Sequence, residues 1–292
     1  MIASLPRSVW LRTATGAYVA AFLIFLFLPL AVVAVFAFND APYPAPPWRG
    51  FTLDWFTGNA ASGRLGLFHD AALLGSIWTS VVVASWVTAL SVAVGTANAF
   101  LMERYRFLGK EALSVLMLAP LVIPGVILGI SILSLSSRIA DLLLALFDVD
   151  VDFLRPGLPL VVLGQFSYIA TISTLMISAR LQRFDRTLEE AALNLGASHA
   201  AVLRTITFPY LRPALIGSAA ISFLMSFENF NTTLMLVGAD PPLTVMMYGR
   251  MREGATPVLN AVSLFLMLAS ALFALTLMRG RSRGGEPPRP AP

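Results

Sequence analysis

Six long apolar runs separated by short polar segments organise this chain: residues 17–38, 76–102, 113–136, 157–179, 214–238 and 258–278. A helix of about 20 mostly apolar residues crosses a hydrocarbon core roughly 30 Å thick, so each run predicts one transmembrane helix. Helices are the expected element because they satisfy every backbone N–H and C=O internally, where no water can do so. The second run exceeds what a span needs and is expected to tilt or to project beyond the lipid. The first follows Arg7 and Arg12 as a secretory leader would. Its apolar run is longer than the roughly 7–15 residues of a leader core, so it is expected to stay attached.

Charge placement orients the helices. With the N-terminus inside, fourteen of the twenty Lys and Arg residues fall in cytoplasmic segments and six in outer ones. This bias predicts both termini in the cytoplasm. The expected organisation is a cytoplasmic segment at 1–16, a six-helix membrane domain at 17–278 and a disordered, Arg- and Pro-rich cytoplasmic tail at 279–292.

Composition agrees with lipid as the solvent: 57% of the 292 residues are hydrophobic and only 12% charged, with a mean hydropathy of +0.78. A soluble domain is nearer a quarter charged. The basic balance fits membrane orientation better than nucleic-acid binding. There is no cysteine, which excludes disulfides and thiolate chemistry, and the two histidines, His69 and His199, are far apart. No nucleophile–base pair or metal cluster supports an enzyme, and no metal or cofactor is expected on this chain.

Between the runs, the outer segment 39–71 opens with Pro42, Pro44, Pro46 and Pro47, which predict an extended start. Residues 139–147 are apolar but too short to span, and are expected to lie in the interface or on the bundle. Pro120 and Pro124 are expected to kink the third span. Gly125 and Gly129 form a G-x-x-x-G pair suited to close helix packing.

The cytoplasmic loop 185–209 is the most informative segment. Leu188, Ala191, Ala192 and Leu195 recur at i, i+3, i+4 and i+7, predicting a short helix with one apolar face. Gly196 stands where a helix end takes a left-handed residue, and Ser198 where a second helix is capped. That second helix carries Val202, Leu203 and Ile206, and Pro209 is expected to end it. An apolar face outside the bilayer has to be buried against something.

Glu190-Ala191-Ala192, Gly196 and Ile206-Thr-Phe208-Pro209 resemble the EAA loop of ABC importer permeases, E-A-A, three residues, G, nine residues, I-x-L-P. Every spacing is kept, and Phe208 in place of Leu is the one departure. Trp48-Arg-Gly50-Phe51-Thr52-Leu53-Asp-Trp55, Arg104-Tyr105-Arg106-Phe107-Leu-Gly109-Lys110 and Ser226-Phe227-Glu228-Asn229-Phe230 extend the resemblance to permeases of spermidine/putrescine-type importers.

The resemblance implies an all-α type I importer fold in the bacterial inner membrane. It also implies a second permease subunit, two cytoplasmic ATPase subunits carrying ATP and Mg, and a periplasmic solute-binding protein as partners. The chain has no G-x-x-x-x-G-K-[ST] phosphate loop of its own. Leu188, Glu190, Ala191, Ala192, Leu195, Gly196, Ile206 and Pro209 are the expected ATPase-coupling residues.

Glu228 is an acid inside a predicted span, which is costly unless it faces protein or water. With Ser226, Asn229 and Asn231 it is a candidate cation-accepting surface on the solute path, against the alternative of a carboxylate bonded within the assembly. Asn98, Gln165, Ser167, Tyr168 and Asn260 fit interhelical hydrogen bonding better than the path. A polyamine is the expected substrate class. An iron chelate, an opine, an amino-acid derivative or a sugar remains open. A stand-alone secondary transporter would leave the loop motif unexplained, and a non-transporting scaffold stays possible on sequence alone.

Overall fold

The computed structural model describes residues 9–59, 63–254 and 256–282. Its helices are α1 (Val9–Phe36), α2 (Asp54–Thr57), α3 (Ala71–Arg104), α4 (Lys110–Val122), α5 (Gly125–Phe147), α6 (Leu158–Leu181), α7 (Thr187–Asn194), α8 (His199–Val202), α9 (Phe208–Phe227), α10 (Asn231–Leu236), α11 (Leu243–Gly254) and α12 (Val258–Ser282). Extended pairing among the described residues is an isolated antiparallel bridge, Asn39 with Phe51. Among the described residues, five helical runs are long and apolar enough to cross a membrane: α1, α3, α5, α6 and the continuous stretch His199–Phe227. The stretch Val258–Leu272 of α12 is apolar as well.

Four expectations need correction. The third span is two helices, because Pro124 holds Ile123 in an extended conformation with ψ 128° and the chain restarts as α5. Residues 139–147 are therefore no separate interfacial segment but the second half of α5. The run 214–238 also breaks, at Glu228–Phe230, and α10 follows as a separate short helix. Pro209 does not end the second loop helix. The turn Leu203–Thr207 bonds in the wider i→i+5 manner, with the Phe208 N–H on the Leu203 carbonyl, and Pro209 sits in the first turn of α9, where a missing N–H is tolerated.

At the chain ends, residues 9–16 are helical and 279–282 continue α12. The rest of the expected terminal segments, with Arg7, Arg283 and Arg289, lies outside the described residues. α11 forms in the segment between the fifth and sixth apolar runs, with its charges, Arg250, Arg252 and Glu253, confined to its C-terminal end.

The chain divides into two compact units, residues 72–249 and the flanking residues 1–71 with 250–292. In the first, α6 is the central pillar, with 56% of its apolar window buried. An upper core joins Val83, Val87, Leu160, Val161, Ile169 and Leu236; a lower core joins Ala99, Ile177, Leu181, Phe184 and Leu211. Small residues bring α3, α6 and α9 together. A Cβ on Gly95 would stand 2.6 Å from that of Ser173, and the Ser173 and Ser222 hydroxyls bond at 2.9 Å.

In the second unit, α1 buries no residue and runs along α12. The Pro-rich outer segment folds around buried Asn39. Its Oδ1 accepts the Arg49 N–H at 2.8 Å, and its carbonyl accepts the Trp55 indole N–H at 2.8 Å. Trp55 packs with Val258 and Ala261.

Candidate functional site

The loop between α6 and α9 is rigidly shaped by local hydrogen bonds. At its start, Asp185 Oδ1 accepts the backbone N–H of Thr187 at 3.0 Å and its hydroxyl at 2.8 Å. These bonds, the backbone one foremost, hold the Asp185 carboxyl below the usual carboxylate range. α7 ends on Gly196 at φ +88°, with Ala197 N–H on the Ala192 carbonyl at 3.1 Å and Gly196 N–H on the Leu193 carbonyl at 2.9 Å. This is a Schellman closure, for which glycine avoids the Cβ penalty. Ser198 Oγ then caps α8 by accepting the Ala201 N–H at 3.2 Å.

α7 presents an open side and a paired side. Leu188, Glu190, Ala191 and Leu195 are exposed, Leu195 to 89%, and Ala192 is half-buried. The expected apolar face is thus left open by the chain itself. Ile206 packs beside the lower core, and Pro209 is exposed at the start of α9.

Sequence reasoning missed Glu189. Its carboxylate, on the side of α7 turned from Glu190, pairs with Arg104 at the end of α3 at 2.9 Å and accepts the hydroxyl of buried Thr207 at 2.5 Å. Helix periodicity carries no signal for a pair 85 residues apart.

The second cluster surrounds the break between α9 and α10. Ser226 donates to Gln165 Oε1; Gln165 Nε2 donates to Thr233 Oγ1 at 2.8 Å; Thr233 donates to Asn229 Oδ1 at 2.8 Å; Asn229 Nδ2 donates to Tyr168 at 2.5 Å. Ser226 and Asn229 are therefore joined in one network with Gln165 and Tyr168. Glu228 and Asn231 are outside it and exposed at the break. α10 can lie this close because Gly125 and Gly129 of α5 face it: a Cβ on Gly129 would stand 2.9 Å from Met235 Cβ. Among the described residues, no cluster of three or more His, Cys, Asp or Glu could hold a metal ion.

The model of the family described as "Binding-protein-dependent transport system inner membrane component" matches residues 91–280, which span both clusters. The chain belongs to this family. It is accordingly a multi-pass inner-membrane permease of the ABC importer type. The permease is 26% identical over 245 residues to the putrescine transport system permease protein PotI of Escherichia coli (strain K12), covering 83% of this chain and 82% of that one. It is 28% identical over 254 residues to the spermidine/putrescine permease protein PotC of Haemophilus influenzae, covering 86% and 90%. The sulfate transport system permease protein CysT of Salmonella typhimurium is 29% identical over 220 residues, covering 70% and 78%.

Among solved structures, a chain of a bacterial ABC transporter involved in the import of the acidic polysaccharide alginate superposes with a TM-score of 0.72. The match covers 95% of the permease and 96% of that chain at 18% identity, which establishes the shared type I fold.

Proposed function

We propose that this permease forms, with a second permease, the path for a small cationic solute of the polyamine class, and is driven through its cytoplasmic loop by separate ATPase subunits. The observation that carries the reading is the open face of α7. Leu188, Ala191 and Leu195 stand exposed on a helix that is capped at its end and braced from behind. Such a face, held rigid outside the bilayer, suits a partner's groove. Glu190, also exposed on α7, supplies an acceptor for a cationic or hydrogen-bonding group on the ATPase.

The polyamine class is supported by the named substrates of the PotI and PotC relatives and by Glu228. Its carboxylate sits exposed where a span is interrupted, the position at which transporters present polar groups to solute. Sulfate, named for the CysT relative, would meet repulsion there. A periplasmic binding protein delivers the solute.

The test is reconstitution with the companion permease, the ATPase and the binding protein in proteoliposomes. Glu190→Arg and Gly196→Pro are expected to abolish putrescine uptake while the chain still inserts. Glu228→Gln is expected to lower uptake with ATPase capture intact. Unchanged uptake in the loop variants would overturn the coupling role, and unchanged uptake in Glu228→Gln would remove Glu228 from the path.

A further inference from the structure

Behind the open face of α7 lies a polar cluster that the docking surface does not need. Glu189 and Arg104 form an ion pair whose side chains are only 17% and 15% exposed. The Arg104 guanidinium also lies 5.5 Å above the ring of Phe184, a member of the lower core. On its other side, the Glu189 carboxylate takes the hydroxyl of Thr207, which is fully buried in the widened turn leading into α9. One carboxylate therefore joins three elements: α7, the end of α3 and the start of α9.

The same end of α3 is gripped twice more. Arg186 donates to the Glu103 carbonyl at 2.6 Å, and Gln182 donates to Glu103 Oε1 at 3.0 Å. α3 has 34 residues, about 50 Å of helix, against a hydrocarbon core of roughly 30 Å. It reaches beyond the lipid to meet the loop.

Two physical points decide what this cluster does. A wholly exposed pair would be screened and worth little, whereas this pair is largely withdrawn from water and shares its carboxylate with a buried hydroxyl. Its geometry is therefore stiff. The ordinary way to hold such a loop would be apolar packing alone, which lets helices slide; a charge-assisted bond fixes the direction as well as the distance.

We infer that Glu189 is a positioning residue that transmits movement of the coupling helix α7 to α3 through Arg104 and to α9 through Thr207. The inference rests on the coupling reading above and deepens it. The exposed Leu188, Ala191 and Leu195 face the ATPase, while Glu189, about 100° round the helix from Leu188, faces the permease. A push on one face is delivered to the spans by the other. Losing the latch leaves the ATPase attached to a helix that no longer moves α3 and α9 together.

The experiment compares Glu189→Gln, Arg104→Gln and the exchanged pair Arg104→Glu with Glu189→Arg, in the assembled transporter in proteoliposomes. Three quantities are read: ATPase retained on the purified permease, ATP hydrolysed, and putrescine taken up. Each single variant is expected to retain the ATPase and hydrolyse ATP, with uptake per ATP falling about ten-fold, in the range of ordinary coupling effects. The exchanged pair is expected to recover part of that ratio. Leu195→Asp, at the exposed apolar end of α7, is expected to lose ATPase retention instead.

An unchanged ratio of uptake to hydrolysis in both single variants would overturn the proposal. So would loss of retention in step with uptake, since Glu189 would then act in docking or folding. If the unaltered permease retained no ATPase, the coupling reading itself would fall, and this inference with it.

Discussion

Gln165 donates to Thr233 across 2.8 Å, and this fully buried bond ties the central helix α6 to α10 beyond the break in its span. Gln165 also accepts from Ser226 at the end of α9, so one amide bridges the two pieces of the interrupted helix. Gln165→Leu removes both bonds and strands the Ser226 hydroxyl. Interhelical hydrogen bonds in membranes are worth roughly 0.6–2 kcal/mol each. Unfolding of the detergent-purified permease should show a loss of about 1–3 kcal/mol. Asn229→Ala is expected to loosen the same break from the other side, through lost bonds to Tyr168 and Thr233.

Glycine substitutions separate close packing from simple helix propensity. At Gly129 a Cβ would approach Met235 Cβ at 2.9 Å and the Thr232 carbonyl oxygen at 3.1 Å, so α10 would have to retreat. Gly129→Ala should destabilise by about 1–3 kcal/mol, as overpacking does. Gly75 in α3 has nothing within 4 Å of an added Cβ. Gly75→Ala should stabilise by about 0.5–1 kcal/mol through helix propensity. Thermal unfolding of the two variants side by side measures the contrast, and equal effects would refute the close contact of α5 with α10.

The loop motif and the breaks mark what was legible in the sequence. Gly196 and Ser198 act as their residue types predict, because capping is decided within a few residues of chain. Hydropathy found the spans for the same local reason, yet it joined α4 to α5 and α9 to α10. Apolar content does not change where a helix is interrupted inside protein, so Ile123 and Glu228 read as span interior. Pro124 carried a usable signal for the first break. The second break carried none, being held by Asn229, Thr233, Thr244 and Gln165 from three helices. Glu189 was invisible because its partners lie at distant positions, and two adjacent glutamates look alike until one of them is paired.

Asp70 and Arg250 test a different part of the molecule, the outer segments. Arg250 meets the Asp70 carboxylate through two bonds of 2.5 and 3.0 Å, and the Asp70 side chain is 4% exposed. Arg250→Ala withdraws both from a buried charge and should cost about 3–5 kcal/mol. Arg250→Met combined with Asp70→Asn removes the charge along with its partner and should cost less than the single change. Denaturation of the three proteins gives the comparison; a single variant as stable as its parent would mean the pair contributes nothing.

Asp185 provides a pH-dependent reading of the coupling loop. The Thr187 backbone N–H, and after it the Thr187 hydroxyl, favour the charged carboxylate and lower its folded pKa. The unfolded chain then binds the proton more readily than the folded one as pH falls. The stabilisation is fully present above the ordinary carboxylate pKa and is lost as pH drops through the lowered folded value. Carbon-13 labelling of the aspartate carboxyls in nanodiscs should show the Asp185 resonance titrating below a free aspartate. Thr187→Val removes the hydroxyl and leaves the larger backbone bond, so its midpoint should rise only part of the way. A midpoint unchanged by Thr187→Val would show that the hydroxyl does not engage the carboxylate, and that the first turn of α7 is held by the backbone alone.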